Sequence, residues 1–83
     1  MRVEILTPET KLFHGEAQAV LLPGIAGKLE ILENHAPMIA ALQKGNLEIT
    51  KNGKKSIIEI QDGFVECIQN KLSILVAGGK INE

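Results

Sequence analysis

The sequence has almost no aromatic residues and a single cysteine. Its 83 residues include no tryptophan and no tyrosine, and only Phe13 and Phe64 carry a benzyl ring. Cys67 has no second cysteine with which to form a disulfide within the chain, which favours a reducing compartment. We interpret Cys67 as a small apolar residue within a strand. The core must therefore be built from aliphatic side chains, which suits a sheet.

Strong charge of one sign and long hydrophobic runs are also lacking. The formal net charge is −1 and the isoelectric point is about 6.1, so the chain lacks the basic surface that nucleic acid or anionic lipid requires. The longest apolar run that no glycine or polar residue interrupts covers residues 36–42. A transmembrane helix needs about 20 apolar residues. We expect no nucleic-acid binding and no direct membrane insertion.

The residues that usually carry catalysis are absent or isolated. No glycine-rich loop ends in Lys-Ser or Lys-Thr, and Gly24 and Gly27 precede a predicted strand rather than a phosphate-binding helix. His14 and His35 are the only histidines, and neither has a second ligand at the spacing of a metal motif. The sequence therefore predicts no enzyme activity, no cofactor and no metal site.

Alternation of apolar and polar residues is the dominant pattern, and it is typical of strands. Short strands separated by frequent turns predict an all-β fold, a small antiparallel β-sandwich or flattened barrel of about eight to ten short strands. The domain is predicted to cover residues 1–77, with a loose C-terminal tail at 78–83. The predicted strands are residues 3–7, 12–22 (one bent or bulged strand), 28–32, 38–42, 46–51, 54–61, 64–69 and 71–77.

Turn residues set the boundaries of these strands. Pro23-Gly24 and Gly27 are predicted to form two glycine turns around residues 28–32. Asn52-Gly53, between two lysines, predicts a two-residue hairpin of the primed type. Asn34 is predicted to occupy the left-handed backbone conformation, which asparagine tolerates better than most residues.

The strand at residues 38–42 is apolar on both faces. Two explanations remain open: the second layer of the sandwich wraps around it, or another chain packs on it. We predict that Ala40 faces a partner and that Ala41 faces the core. For His35, which precedes this strand, the alternatives are a hydrogen bond from the ring to a turn carbonyl and a contact with a partner.

Four motifs in one order make the sequence similar to a known family. The string LPGIAGKLEILENHAPMIAALQKG at residues 22–45, TPE at 7–9, LFHGE at 12–16 and DGFVE at 62–66 resemble motifs of the N-terminal β-sandwich domain of the F-type ATP synthase epsilon subunit. Glu33-Asn34 stands where the family usually has Pro-Gly, and Lys28 stands where an acidic residue is common. The resemblance spans almost the whole chain.

The resemblance implies a function and a set of contacts. It implies a non-catalytic central-stalk (rotor) subunit of the proton-translocating F-type ATP synthase, which joins the gamma subunit to the membrane c-ring. The expected location is the cytoplasmic face of the bacterial inner membrane, or the equivalent organelle membrane, as a peripheral subunit. The residues that the resemblance places at the gamma interface are Thr7, Ile25, His35, Met38 and Ala40, and the loop that it places against the c-ring is Ala26, Gly27 and Lys28.

Many family members continue into two helices that carry an inhibitory conformational change and, in some members, a nucleotide-binding motif. Nothing in the 83 residues corresponds to these helices, so we expect no nucleotide binding by this chain. The alternative function is a free-standing β-sandwich module that binds a ligand or an adaptor through a different surface.

Overall fold

The computed structural model describes residues 1–82, and it confirms an all-β fold without helices in that range. Ten strands form a single sheet in the order β10-β7-β6-β3-β5-β8-β9-β1-β2, with β4 paired to β3. The strands are β1 Arg2–Leu6, β2 Lys11–Glu16, β3 Ala19–Gly24, β4 Gly27–Leu32, β5 Met38–Leu42, β6 Gly45–Lys51, β7 Lys54–Ile60, β8 Gly63–Ile68, β9 Lys71–Val76 and β10 Gly79–Asn82.

The sheet folds over into two halves that share one core. One half holds β5, β8, β9, β1 and β2, and the other holds the remaining five strands. The two halves are joined by the single pair Gly24 with Leu42, so the sheet is free to bend there. Neighbouring strands are antiparallel except for β1 and β9, which are parallel, with Val3 opposite Leu72.

The core consists of aliphatic side chains supplied by alternate positions of both halves. The apolar positions of the predicted alternation are buried, and no polar or charged residue of the described chain is buried. Phe13 only packs against this core from its edge, and Phe64 lies outside it. The fully buried side chains (below 2% exposed) with the largest volumes are Ile5, Leu22, Ile31, Leu42, Leu47, Ile49, Ile58, Ile60, Leu72, Ile74, Val3 and Val20.

Two predicted turns are confirmed by their backbone angles. Asn34 has φ 63°, in the left-handed region, as predicted for the residue that replaces a family glycine. Asn52 and Gly53 have φ 52° and 77°, and positive values at both central residues define the primed hairpin turn between β6 and β7. A third turn of this kind, at Gln69 and Asn70 (φ 48° and 59°), joins β8 to β9.

Three local predictions are wrong. The bent strand predicted over residues 12–22 is two strands, because the chain leaves β2 at Ala17 and begins β3 at Ala19. The backbone N–H of Ala17 donates to Met1 and that of Gln18 donates to Thr50 (both 2.9 Å), which redirects the chain. Pro23-Gly24 is the buried end of β3 rather than a turn, and the turn follows at residues 25–26.

The third correction concerns the tail predicted to be loose from residue 78. Gly79–Asn82 instead forms β10, antiparallel to β7, with Gly79 opposite Ile60 and Ile81 opposite Ile58. Gly79 has no side chain to obstruct this approach, since a Cβ there would lie 2.5 Å from Leu12 Cδ1 of β2. The close approach of the Gly79 backbone thus allows residues 79–82 to pair with β7, although apolar and polar residues do not alternate in this segment. Glu83 lies outside the described residues.

Candidate partner-binding surface

An apolar row crosses the outer face of four adjacent strands. Ala41 of β5 lies opposite Phe64 of β8, Phe64 lies opposite Leu75 of β9, and Leu75 lies opposite Leu6 of β1. These four residues are called the apolar row. Residues opposite one another in a sheet point to the same face, and this face is turned away from the core because Val65 and Ile74, on the same strands, are fully buried.

The row is part of a wider exposed apolar surface. Phe64 is 47% exposed and Leu75 39% exposed. Ile39 (69% exposed) and Ile68 (49% exposed) lie on the same face of β5 and β8. These two isoleucines and the apolar row together are called the outer apolar face. Contiguous apolar surface of this kind marks an interaction site more often than scattered single residues do.

The two ends of the row adjoin two of the residues that the sequence predicted at the gamma interface. The backbone N–H of Ile25, in the β3–β4 turn, donates to the Ala41 carbonyl at 3.0 Å, and the Ile25 side chain is 64% exposed. At the other end Thr7 follows Leu6, and both line a shallow depression with Phe64 and Leu75. The row thus connects two positions that are far apart in the sequence.

Hydrogen bonds of its side chain fix Thr7 in a tight turn. Its hydroxyl oxygen accepts from the backbone N–H of Thr10 (3.0 Å) and of Glu9 (3.2 Å), and its own N–H donates to the Thr10 carbonyl (2.8 Å). Threonine favours such turns because its side chain substitutes for a backbone partner.

The predicted orientation of the β5 strand is wrong. Ala40 is half-buried and packs against the core together with Met38, whereas Ala41 is exposed. Alternation fixes this parity, because Leu42, two residues after Ala40, is buried. Ala40 therefore points towards the core, and β5 presents Ile39 and Ala41 to solvent. Short strands that are apolar on both faces contain no internal information on which face is buried.

His35 lies in the loop at the start of β5, at the end opposite to Ala41. The His35 Nδ1–H donates to the carbonyl of Ala36 at 2.7 Å, and the ring is exposed. The ring of His35 is therefore bonded to a carbonyl of its own loop, just after the turn at residues 33–34, and the rest of the exposed ring is available to a partner. The Asn34 N–H donates to Asn70 Oδ1 at 2.7 Å, which ties this loop to the β8–β9 turn.

Glu33, at the start of the same loop, has a role that sequence reasoning missed. Its carboxylate oxygen lies 2.7 Å from the amino group of Met1, whose side chain is buried. That amino group also donates to the Ala17 carbonyl at 2.9 Å. No sequence pattern links Met1 and Glu33, which are 32 positions apart.

The loop predicted to face the c-ring is exposed at the opposite end of the fold from His35. Ala26, Gly27 and Lys28 are all exposed, and Gly27 has φ 130°, a backbone conformation that other residues rarely adopt. Pro23 lies opposite Lys28 at the start of the β3–β4 pair. No acidic side chain of residues 1–81 pairs with Lys28, so its charge is available to a partner.

The far end of the outer face carries ion pairs instead of apolar side chains. Glu4 of β1 lies 3.6 Å from both Lys11 and Lys71. Partial burial opposes the ionisation of Glu4, but these two lysines outweigh burial and hold the pKa of its carboxyl below the ordinary value. Arg2 and Glu16 form a further pair nearby. The face is therefore apolar at one end and charged at the other.

The described part of the chain contains little that favours chemistry. No group of three or more His, Cys, Asp or Glu residues within it could hold a metal ion. Burial raises the pKa of the Cys67 thiol, and its Sγ–H group donates weakly to the His35 carbonyl at 3.9 Å. A buried, protonated thiol is a poor nucleophile. The same residues include no helix long and apolar enough to cross a membrane.

Comparison with known sequences identifies relatives over the whole chain. The family model described as "ATP synthase, Delta/Epsilon chain, beta-sandwich domain" matches residues 1–79. The ATP synthase epsilon chain of Leptospira interrogans is 40% identical over 83 residues, which are 100% of this chain and 65% of that protein. The ATP synthase epsilon chain of Thermosynechococcus vestitus is 34% identical over 80 residues, covering 96% of this chain and 58% of that protein. The chain thus spans less than two thirds of these relatives.

Comparison with solved structures identifies the same fold. A chain in the mitochondrial ATP synthase of Euglena gracilis (OSCP/F1/c-ring) matches 95% of this chain and 51% of its own length, with a TM-score of 0.89 and 20% identity. A chain in the central stalk/c-ring structure of the Tetrahymena thermophila mitochondrial ATP synthase matches 96% of this chain and 65% of its own length, with a TM-score of 0.83 and 17% identity. At such identities the likeness shows the fold alone.

Proposed function

The chain belongs to the ATP synthase delta/epsilon-chain β-sandwich family, and from this premise we propose that it is a non-catalytic subunit of the central stalk of a proton-translocating F-type ATP synthase. In this function it joins the gamma subunit to the c-ring and supports rotational coupling without chemistry of its own. The observation that carries the proposal is the outer apolar face, which a free-standing sandwich of this size would leave in water.

The proposed gamma contact extends along the apolar row. Thr7 and Ile25 lie at the two ends of the row, and the exposed side chains of Phe64 and of the neighbouring Ile39 contribute apolar surface to the contact. His35 continues the contact at the start of β5, while Met38 and Ala40 support the strand from the core side. This revised set keeps three of the five residues suggested by the resemblance and replaces Met38 and Ala40 by the outward-facing Ile39 and Ala41.

The proposed c-ring contact is the exposed loop of Ala26, Gly27 and Lys28. An exposed β-turn with an unpaired lysine suits the polar surface that a loop of a membrane-embedded ring presents. The two contacts meet at the β3–β4 turn, where Ile25 belongs to the gamma contact and Ala26 to the c-ring contact. The complex would be membrane-associated, with this chain peripheral to the cytoplasmic face of a bacterial inner membrane or its organelle equivalent.

Site-directed cross-linking in the assembled synthase tests the proposal. Cys67 is buried, and Cys67→Ser removes the native thiol before new cysteines are introduced. A maleimide cross-linker should join Thr7→Cys to gamma and Lys28→Cys to a c subunit. Lys54→Cys, at the exposed β6–β7 hairpin tip, is the matched control and should give neither product. Equal cross-linking yields at all three positions would refute the proposal. Failure of the wild-type chain to assemble into the synthase would also refute it.

The alternative of a free-standing ligand-binding module predicts a different result. Such a module would remain monomeric in the presence of gamma and c-ring proteins and would bind a small molecule in the depression beside Thr7. That depression is open and shallow, and a ligand site usually encloses most of its ligand. The structure therefore offers less support for this alternative than for a protein contact.

A further inference from the structure

Glu66 is an isolated carboxylate within the outer apolar face. It occupies the position on β8 between Phe64 and Ile68, and its partner across β5 is Ile39. All three neighbours are exposed hydrophobic residues. On the other side Glu66 lies opposite Ser73 of β9, which is uncharged. An acidic side chain is thus surrounded by the surface that a partner would cover.

No cation of the described chain neutralises Glu66. The nearest basic position on β9, Lys71, is held 3.6 Å from Glu4, and Arg2 pairs with Glu16. In the free protein, water hydrates the exposed carboxylate at little cost. Covering the outer apolar face would remove this water, and a desolvated carboxylate without a partner is strongly unfavourable. The partner must therefore bring its own positive charge to this position.

The backbone of this face limits the secondary structure of that partner. The strands β8, β9 and β1 are each paired on both sides, so a partner cannot add a strand here. Strands lie about 4.8 Å apart, so the four residues of the apolar row span roughly 14 Å. Three turns of an α-helix advance about 16 Å. A helix with apolar residues one turn apart would match the row.

On these grounds, and resting on the proposed function, we propose that Glu66 pairs with a lysine or arginine of the gamma subunit, carried on an α-helix that lies across the apolar row. The apolar side chains of that helix cover Phe64 and Leu75, and the basic residue extends from its flank. Glu66 lies two residues along the strand from Phe64, about 6.7 Å away, within reach of a long basic side chain. Glu66 thereby fixes the orientation of the helix on the face.

Calorimetric titration with purified gamma tests the pair. Glu66→Gln should weaken binding about tenfold and Glu66→Lys about a hundredfold or more, because truncating or reversing a covered charge leaves its partner uncompensated. Glu30→Gln and Glu30→Lys are the matched controls, since Glu30 is an exposed strand carboxylate on β4 in the other half. They should change the affinity less than twofold. Circular dichroism melting verifies that all variants remain folded.

The outcomes separate this inference from the function on which it rests. If wild type binds gamma and Glu66→Lys binds equally well, the pair is refuted while the stalk function stands. If wild type does not bind gamma at all, both are refuted. Self-association of the wild type that Phe64→Glu abolishes would identify a second copy as the occupant and would also overturn the inference. Raising the salt concentration should weaken the binding of gamma by the wild-type chain more than its binding by Glu66→Gln.

Discussion

The β5 strand contains two adjacent alanines whose replacement by glutamate should have opposite effects. Ala40 packs against the core and lies opposite the fully buried Val65, whereas Ala41 is exposed and lies opposite Phe64 on the outer face. Ala40→Glu would force a carboxylate towards an aliphatic interior in which the described chain provides no buried polar partner. Ala41→Glu would place the same group in water.

The magnitude follows from burial. Because Ala40 is only half-buried, the glutamate can partly reach solvent, and we expect a cost of about 2–4 kcal/mol rather than the full penalty for a buried charge. A chain of 83 residues is stable by roughly 4–12 kcal/mol in total. One kcal/mol shifts the melting temperature of such a domain by about 4–8 °C. Ala40→Glu should therefore melt about 10–30 °C lower, and Ala41→Glu within about 4 °C of wild type.

Circular dichroism or scanning calorimetry is the appropriate assay, since the chain has no tryptophan or tyrosine for fluorescence. Ala40→Gln and Ala41→Gln separate the effect of charge from that of size. Glutamine should reproduce part of the loss at Ala40 and none at Ala41. Equal melting temperatures for the two glutamate variants, or a larger loss at Ala41, would refute the orientation of β5 and with it the outer apolar face.

Three further predictions concern stability. Asn34 has φ 63°, so Asn34→Gly should be neutral or slightly stabilising and Asn34→Val should cost about 1–2 kcal/mol; equal denaturant midpoints would contradict this. A Cβ on Gly63 would collide with the Leu75 carbonyl and lie 2.8 Å from Val76 Cα, whereas one on Gly78 would meet only Gln61 Cγ at 3.4 Å. Gly63→Ala should therefore lower the free energy of unfolding by about 1–3 kcal/mol, and Gly78→Ala by much less, as measured by chemical unfolding. Similar losses of stability in the two variants would contradict the close approach of β8 and β9. The folded-state pKa of Glu4 is lowered, so its contribution to stability is present above the unfolded value of about 4.5 and is lost as pH falls through the folded value. Below pH 4.5 the melting temperature should fall less steeply with pH in Glu4→Gln than in Glu9→Gln. Parallel pH profiles for the two variants would show that the lysine pairs of Glu4 do not cause the loss of stability in acid.

The sequence predicts the parts of this fold that local chemistry determines. Alternation identifies the buried positions of β1, β6 and β9, although Leu6 and Leu75 are apolar residues at the opposite parity. Asn34 and Asn52-Gly53 are recognisable because few residues tolerate a positive φ. The class of fold follows from these two kinds of information together.

The remaining features depend on contacts between distant residues. Residues 38–42 are apolar at both parities, so the packing of the other half decides that Ala40 faces inward. The break between β2 and β3 is set by hydrogen bonds to Met1 and Thr50. β10 is ordered because β7 offers it a free edge, although its own sequence does not alternate. The outer apolar face is likewise invisible in the sequence, because its members come from four strands.

Native mass spectrometry of a reconstituted rotor tests whether the outer apolar face holds the chain in the central stalk. The chain would be mixed with gamma and c-ring in detergent, with Phe64→Glu as the matched variant, since Phe64 lies at the centre of the apolar row and outside the core. We expect one copy of the wild-type chain per rotor and much lower occupancy for Phe64→Glu at unchanged melting temperature. Absence of wild type from the rotor, or equal occupancy by a folded Phe64→Glu variant, would contradict it.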